Sequence, residues 1–213
     1  MESWDARSSP SQLALASYLN HVEGLVAEAM KSLTNTPLSI ELAVGLPVHV
    51  HAIRGGHDLD NYLYPLIRRL GVGRFVSART SKAPGNVSSV RIARAEAADP
   101  LELEGWAYAA AETSASTATA AWKHEIVERL SPATSVAPDG PIDVQLAFAV
   151  SERRNWAWLW KPALDALGAI WGVNDVAKPF QTRDDRITRL AVHRTIDDSL
   201  GNRVRIGVWW RSA

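Results

Sequence analysis

Residues 36–47 read TPLSIELAVGLP, and residues 140–151 read GPIDVQLAFAVS. In each, a proline opens a run of alternating apolar and polar side chains. The apolar positions are Leu38, Ile40, Leu42 and Val44 in the first stretch, and Ile142, Val144, Leu146 and Phe148 in the second. A period of two marks a strand with one buried face. Two more pairs follow in the same order. DLDNYLYPLIRRLG (58–71) lies over NWAWLWKPALDALG (155–168), with Pro65 on Pro162, Leu70 on Leu167 and Gly71 on Gly168. RFVSARTSKAPGNVSSVRI (74–92) lies over RLAVHRTIDDSLGNRVRI (189–206), with ART on HRT, GN on GN and VRI on VRI.

Each half therefore reads as helix, strand, turn with helix, strand, turn, strand. The expected fold is α+β: two helix–strand–helix–strand repeats, 1–108 and 109–213, related by a pseudo-twofold. The leading helices are predicted over 11–33 and 106–130. In the first, Leu15, Leu19, Val22, Val26 and Met30 form one helical stripe. Pro65 and Pro162 are expected in the first turns of their helices, where a missing N–H costs little. The GN pairs suit hairpins. The second half carries an extra stretch, WGVNDVAKPFQTRDDRI (171–187).

Composition narrows the function classes. Of 213 residues, 46% are apolar, enough for a core. No apolar run is long enough to span a membrane. The start, MESWDARSSPSQ, lacks the basic and apolar regions of a signal peptide. The absence of Cys excludes disulfides and thiolate metal sites and fits a reducing cytoplasm. Net charge is zero, yet between Arg54 and Arg94 eight basic residues face two acids, leaving +6. The eight are Arg54, Arg68, Arg69, Arg74, Arg79, Lys82, Arg91 and Arg94. Such a segment can track a polyanion or simply be a solvated face.

The two acids are Asp58 and Asp60, followed by Asn61. Carboxylates two apart on extended chain point the same way and can share one cation. Alternatively, Asp58 begins a turn and Asp60 caps the helix. Trp156, Trp158, Trp160 and Trp171 either stack on unpaired bases or fill the interface between the halves. His49 and His51 would share one strand face, with His57 nearby, as weak candidates for zinc. There is no nucleophile elbow and no P-loop.

DLDN before an apolar helix, then an acidic pair before a strand, resembles the RusA-type Holliday-junction resolvases. That family's pattern is roughly D-x-D-N-x-x-K-x-x-x-D-A-L, then D-D and a strand. Here it is split. The first half has Asp58, Asp60 and Asn61 but Tyr64 at the lysine position. The second has Lys161, Asp165, Ala166 and Leu167, then Asp184 and Asp185, while its own first pair has become Asn155 and Ala157. The resemblance touches about 60 residues in each half. It implies a fused pseudo-dimer of a metal-dependent endonuclease that cuts branched DNA, needing no second copy. It further implies one composite site: Asp58, Asp60, Asp184 and Asp185 as ligands of Mg²⁺ or Mn²⁺, with Lys161 supporting the phosphate. Arg54, Arg68, Arg69, Arg74, Arg79 and Lys82 would then contact branched or single-stranded DNA. The split motif is equally compatible with an inactive nucleic-acid-binding or scaffold relative.

Overall fold

The computed structural model describes residues 9–34, 36–53, 57–95, 103–130 and 135–213. Helix α1 (Pro10–Ser32) starts at Ser9, whose hydroxyl accepts the Gln12 N–H, with Pro10 at the position where its missing N–H is harmless. Its Val22 and Val26 are buried and Leu15, Leu19 and Met30 half-buried, so the stripe faces inward. Strand β1 (Leu38–Leu46) alternates as its sequence requires, with Leu38, Ile40, Leu42, Val44 and Leu46 buried. There follow α2 (Leu59–Leu70), β2 (Phe75–Pro84), β3 (Ser89–Arg94), β4 (Ala107–Thr113), α3 (Ala120–Leu130) and β5 (Ile142–Val150). The chain ends with α4 (Trp160–Ala166), α5 (Gly168–Trp171), β6 (Ile187–Ile196) and β7 (Val204–Ser212).

The strands form one mixed sheet in the order β3-β1-β2-β6-β5-β7-β4. β1 lies between parallel β2 and antiparallel β3, and β5 lies between parallel β6 and antiparallel β7. Both parallel pairs slip register after the first residue, at Leu38/Ser39 and at Ile142/Asp143. An antiparallel β2–β6 pair joins these two sets. The inward residues of the strands share one apolar core with Val22 and Val26 of α1, Leu63 and Ile67 of α2, and Trp122 and Ile126 of α3. Burial of each such side chain stabilises by about 1.5–3 kcal/mol. Among the described residues, no helix is long and apolar enough to cross a membrane.

Several local expectations change. The helix predicted over 106–130 is strand β4 followed by α3. Residues 107–113 pair with β7, and the alternation of Ala109, Ala111 and Thr113 toward the core suits a strand. Residue 108 therefore lies within a strand. The GN turns do not close hairpins, because β1 separates β2 from β3, and β5 separates β6 from β7. The loop after β2 crosses the end of β1 instead. Gly45 makes that crossing possible: a Cβ there would overlap the Val87 carbonyl. The crossing is held by Gly85 N–H on the Leu46 carbonyl (2.7 Å) and Gly45 N–H on the Ser88 hydroxyl (3.1 Å).

Pro65 sits inside α2 rather than in its first turn. Pro162 is the third residue of α4, which a 3-10 turn at Trp156–Leu159 precedes. The pairing register also moves the third sequence match. Glu41 faces Arg79 while Gln145 faces Ala191, so the strand pairing does not follow the sequence match of Arg79 with Arg194. The extra stretch forms α5's end, a bridge from Val173 to Thr182, and a 3-10 turn at Asp184–Arg186.

Candidate metal centre

Asp58 is the residue before α2, in extended conformation, and its side chain caps no backbone N–H. Its Oδ2 accepts instead from Asn61 Nδ2 (3.2 Å). Asp60 is already in the first turn, so the two carboxylates converge through a helix start and not along a strand. Asp184 is delivered by the 3-10 turn before β6. One carboxylate oxygen each from Asp58, Asp60 and Asp184 lies within 4.8 Å of the others. Asp60 and Asp184 are 4% and 6% exposed, and Asp60 Oδ1 is buried without a hydrogen-bond partner. A buried, unpaired carboxylate oxygen is costly unless a cation or donor reaches it.

Lys161 leans into this cluster from α4. Its Nζ is 2.7 Å from Asp184, 3.3 Å from Asp165 and 4.0 Å from Asp60. Asp165 is held in turn by Lys123 (2.7 Å). Asp165 and Lys123 had no assigned role from sequence. The spacing of four from Lys161 to Asp165 on one helix was the available signal. Tyr64, which stands at the lysine position of the first half, packs edge-on to Trp160 instead.

Electrostatics follow from burial. Desolvation pushes the Asp60 carboxyl up to about 7, opposed by Lys161 and reinforced by Asp184, Asp58 and Asp165. Asp184 is also raised, by desolvation against the pull of Lys161. For Lys161, burial lowers its pKa, but Asp60, Asp184 and Asp165 together outweigh it and hold the ammonium charged. These signs describe carboxylates crowded beyond what one lysine neutralises.

Asp185 stands outside the triad. It is half-buried, and burial raises its carboxyl while Lys82 draws it down. Lys82 lies below the surface. It is 4% exposed, and its ammonium donates to the carbonyls of His57 and Asp185, each at 2.7 Å. Burial lowers its pKa, with Asp58 and Asp185 acting against that. Lys82 thus ties the segment before α2, which carries Asp58, to the segment before β6, which carries Asp184.

The other basic candidates scatter. Arg54 lies outside the described residues. Arg68 is exposed on α2. Arg69 pairs with Glu23 (2.8 Å) and Asn20 (3.0 Å), docking α2 on α1. Arg74 donates to the Met30 and Leu33 carbonyls (3.0 and 3.2 Å), closing the end of α1. Arg79 is exposed on the sheet face opposite the helices.

Trp156, Trp160 and Trp171 are fully buried, and Trp156 meets Trp160 edge-on at 4.9 Å. Trp158 alone of that group is exposed, at 56%. His49 and His51 follow the end of β1 and are not strand residues, while His57 pairs with the Tyr62 hydroxyl (3.1 Å). Among the described residues, the histidines contribute nothing to the acidic cluster.

An all-oxygen donor set of carboxylates suits a hard divalent cation such as Mg²⁺ or Mn²⁺. No protein-family model matches the chain, and no curated protein matches it.

Proposed function

We propose that the protein is a metal-dependent, structure-selective endonuclease acting on branched DNA, built as a duplicated RusA-like unit with a pseudo-twofold. The observation that carries this reading is the triad. Asp58 and Asp60 come from one half and Asp184 from the other, within 4.8 Å, and Asp60 Oδ1 is buried without a partner among the described residues. The repeated neighbour relations of β1 and β5 support the duplication. Each half supplies what the other lacks, so one chain suffices, and the protein is proposed to act as a cytoplasmic monomer.

Asp58, Asp60 and Asp184 would hold the cation. When bound, Mg²⁺ or Mn²⁺ supplies polarisation of a phosphoryl oxygen and acidifies a water. Lys161, half-exposed at its side chain, presents a permanent positive charge beside the ligands, where it would oppose negative charge growing on the phosphate. Lys82 positions the two ligand-bearing segments. Asp165 and Lys123 restrain Lys161 from behind.

One observation favours a second reading, an inactive nucleic-acid-binding or scaffold relative. The Lys161 ammonium already occupies part of the space between the carboxylates. Cleavage of a labelled four-way junction with Mg²⁺ or Mn²⁺ separates the two. The nuclease reading expects metal-dependent cutting, abolished in Asp60→Asn with junction binding retained. Wild-type protein that cuts no branched substrate with either metal overturns it in favour of the inactive relative.

A further inference from the structure

The sheet face turned away from the helices has its own chemistry. On it Glu41 stands between Arg79 and Arg91, and Gln145 between Ala191 and Trp209. A cavity of about 290 Å³ opens between Glu41, Arg79, Trp106, Asp143, Arg189 and Arg211. A neighbour of about 240 Å³ shares Glu41 and Arg79 and adds Arg91 and Arg94. Five guanidiniums against two carboxylates leave a net +3 along this groove.

The charge is available. Among the described residues no ion pair engages Arg79, Arg91 or Arg94. Arg189 and Arg211 hold the buried Asp143 at 3.3 and 3.4 Å, yet their side chains stay 67% and 46% exposed. A groove with a net excess of positive charge concentrates counter-charged ligands.

Aromatic rings continue the same face. Tyr108, 56% exposed, meets Trp209 with centroids 4.8 Å apart. The Trp209 ring lies across Gly207, where a Cβ would come within 2.5–2.7 Å of two ring carbons. The bare glycine lets the indole lie down on the sheet. Trp106, at the cavity wall, carries the Arg211 guanidinium 4.5 Å above its ring. Guanidiniums beside solvent-facing rings offer charge to phosphates and ring faces to bases.

We propose that this open face binds single-stranded DNA, with phosphates along Arg79, Arg91 and Arg94 and bases stacked on the Tyr108–Trp209 platform. The choice of DNA over RNA rests on the nuclease reading above. Six interstrand steps of about 4.8 Å give the strand a track of roughly 29 Å. The face lies opposite the helices that carry the carboxylates, so holding an unpaired strand and cutting a duplex arm are separable tasks.

The test is fluorescence anisotropy of a labelled oligothymidylate in EDTA, where no cleavage occurs. Tyr108→Ala is expected to weaken binding roughly 5- to 150-fold, and Tyr108→Phe to retain wild-type affinity. Arg79→Ala with Arg91→Ala is expected to reduce the slope of log K against log salt by about 1.4. Asp60→Asn is expected to bind like wild type. Affinity unchanged by both Tyr108→Ala and the arginine pair overturns the proposal. So does oligouridylate binding tenfold tighter than oligothymidylate, or a dimer in sedimentation that Tyr108→Ala dissociates, which would mark the face as a contact between copies. Tyr108-dependent binding supports the proposal whether or not the protein cuts a junction. Junction cleavage by a protein that fails these binding tests leaves the nuclease reading and removes this one.

Discussion

Asp60 concentrates the chemistry of the candidate site. Its carboxyl is raised to about 7 from the ordinary 3.8, chiefly by desolvation. A carboxyl raised on folding binds its proton more tightly in the native state, so stability falls as pH rises from 3.8 through 7. Metal-free protein is therefore expected to lose stability between pH 5 and 8 more steeply than Asp60→Asn. At pH 8 the variant should be the more stable by about 1–4 kcal/mol. Urea denaturation in EDTA at both pH values checks this; parallel pH profiles would show that Asp60 is not the titrating group. Lys161 poses the matching question. Its ammonium and a divalent ion seek the same oxygens of Asp184 and Asp60. Replacing it, as in Lys161→Met, should enlarge the rise in Tm on adding Mn²⁺. An equal rise in both proteins would place Lys161 clear of the bound ion.

Secondary-structure elements were legible where local pattern decides them. The alternation of 38–46 and 142–150 produces two strands because each buries one face. The stripe from Leu15 to Met30 produces a helix for the same reason at a different period. The stretch 107–113, AYAAAET, is rich in alanine, a strong helix former, and falls within the helix expected over 106–130. Its pairing with β7 overrides that propensity, since an edge strand gains its backbone hydrogen bonds from its neighbour. The GN pairs suit hairpins by turn chemistry alone, which does not state which strand lies alongside. The actual crossing gives Gly45 its role. Gly45→Ala is expected to destabilise by about 1–3 kcal/mol, since the Val87 backbone must move and two hydrogen bonds anchor it there. Chemical denaturation measures the loss; a change under 0.5 kcal/mol would mean that the loop yields freely.

Across the molecule, β2 and β6 join the two sets of strands through five paired residues, Ser77–Ser81 with His193–Arg189. The His193 ring adds bonds to Ser77 and Gln145 (3.2 and 3.3 Å), and Trp156 of the second set reaches the Val72 carbonyl (3.4 Å). The halves share one sheet and one core, so unfolding is expected as one calorimetric transition with equal calorimetric and van't Hoff enthalpies. Two resolved transitions would show that the halves unfold separately.

Periodicity and residue type sufficed to mark strands β1 and β5, the leading helix and the residues able to ligate a cation. Both are local properties, carried by a few neighbours in the chain. The DLDN and DD segments, Lys161 and the absence of Cys were visible in the same way. Their meeting was implied by the family resemblance alone, because Asp60 and Asp184 are brought together by strand order, and nothing local states that β2 lies beside β6. The separate fates of Asp184 and Asp185, adjacent in sequence, depend on the 3-10 turn, which brings the Asp184 carboxylate into the cluster and the Asp185 carbonyl to Lys82. Lys82 itself reads as one more base in a basic segment. Only the fold buries it between two carbonyls, since the cost of desolvating an ammonium is set by what surrounds it in space.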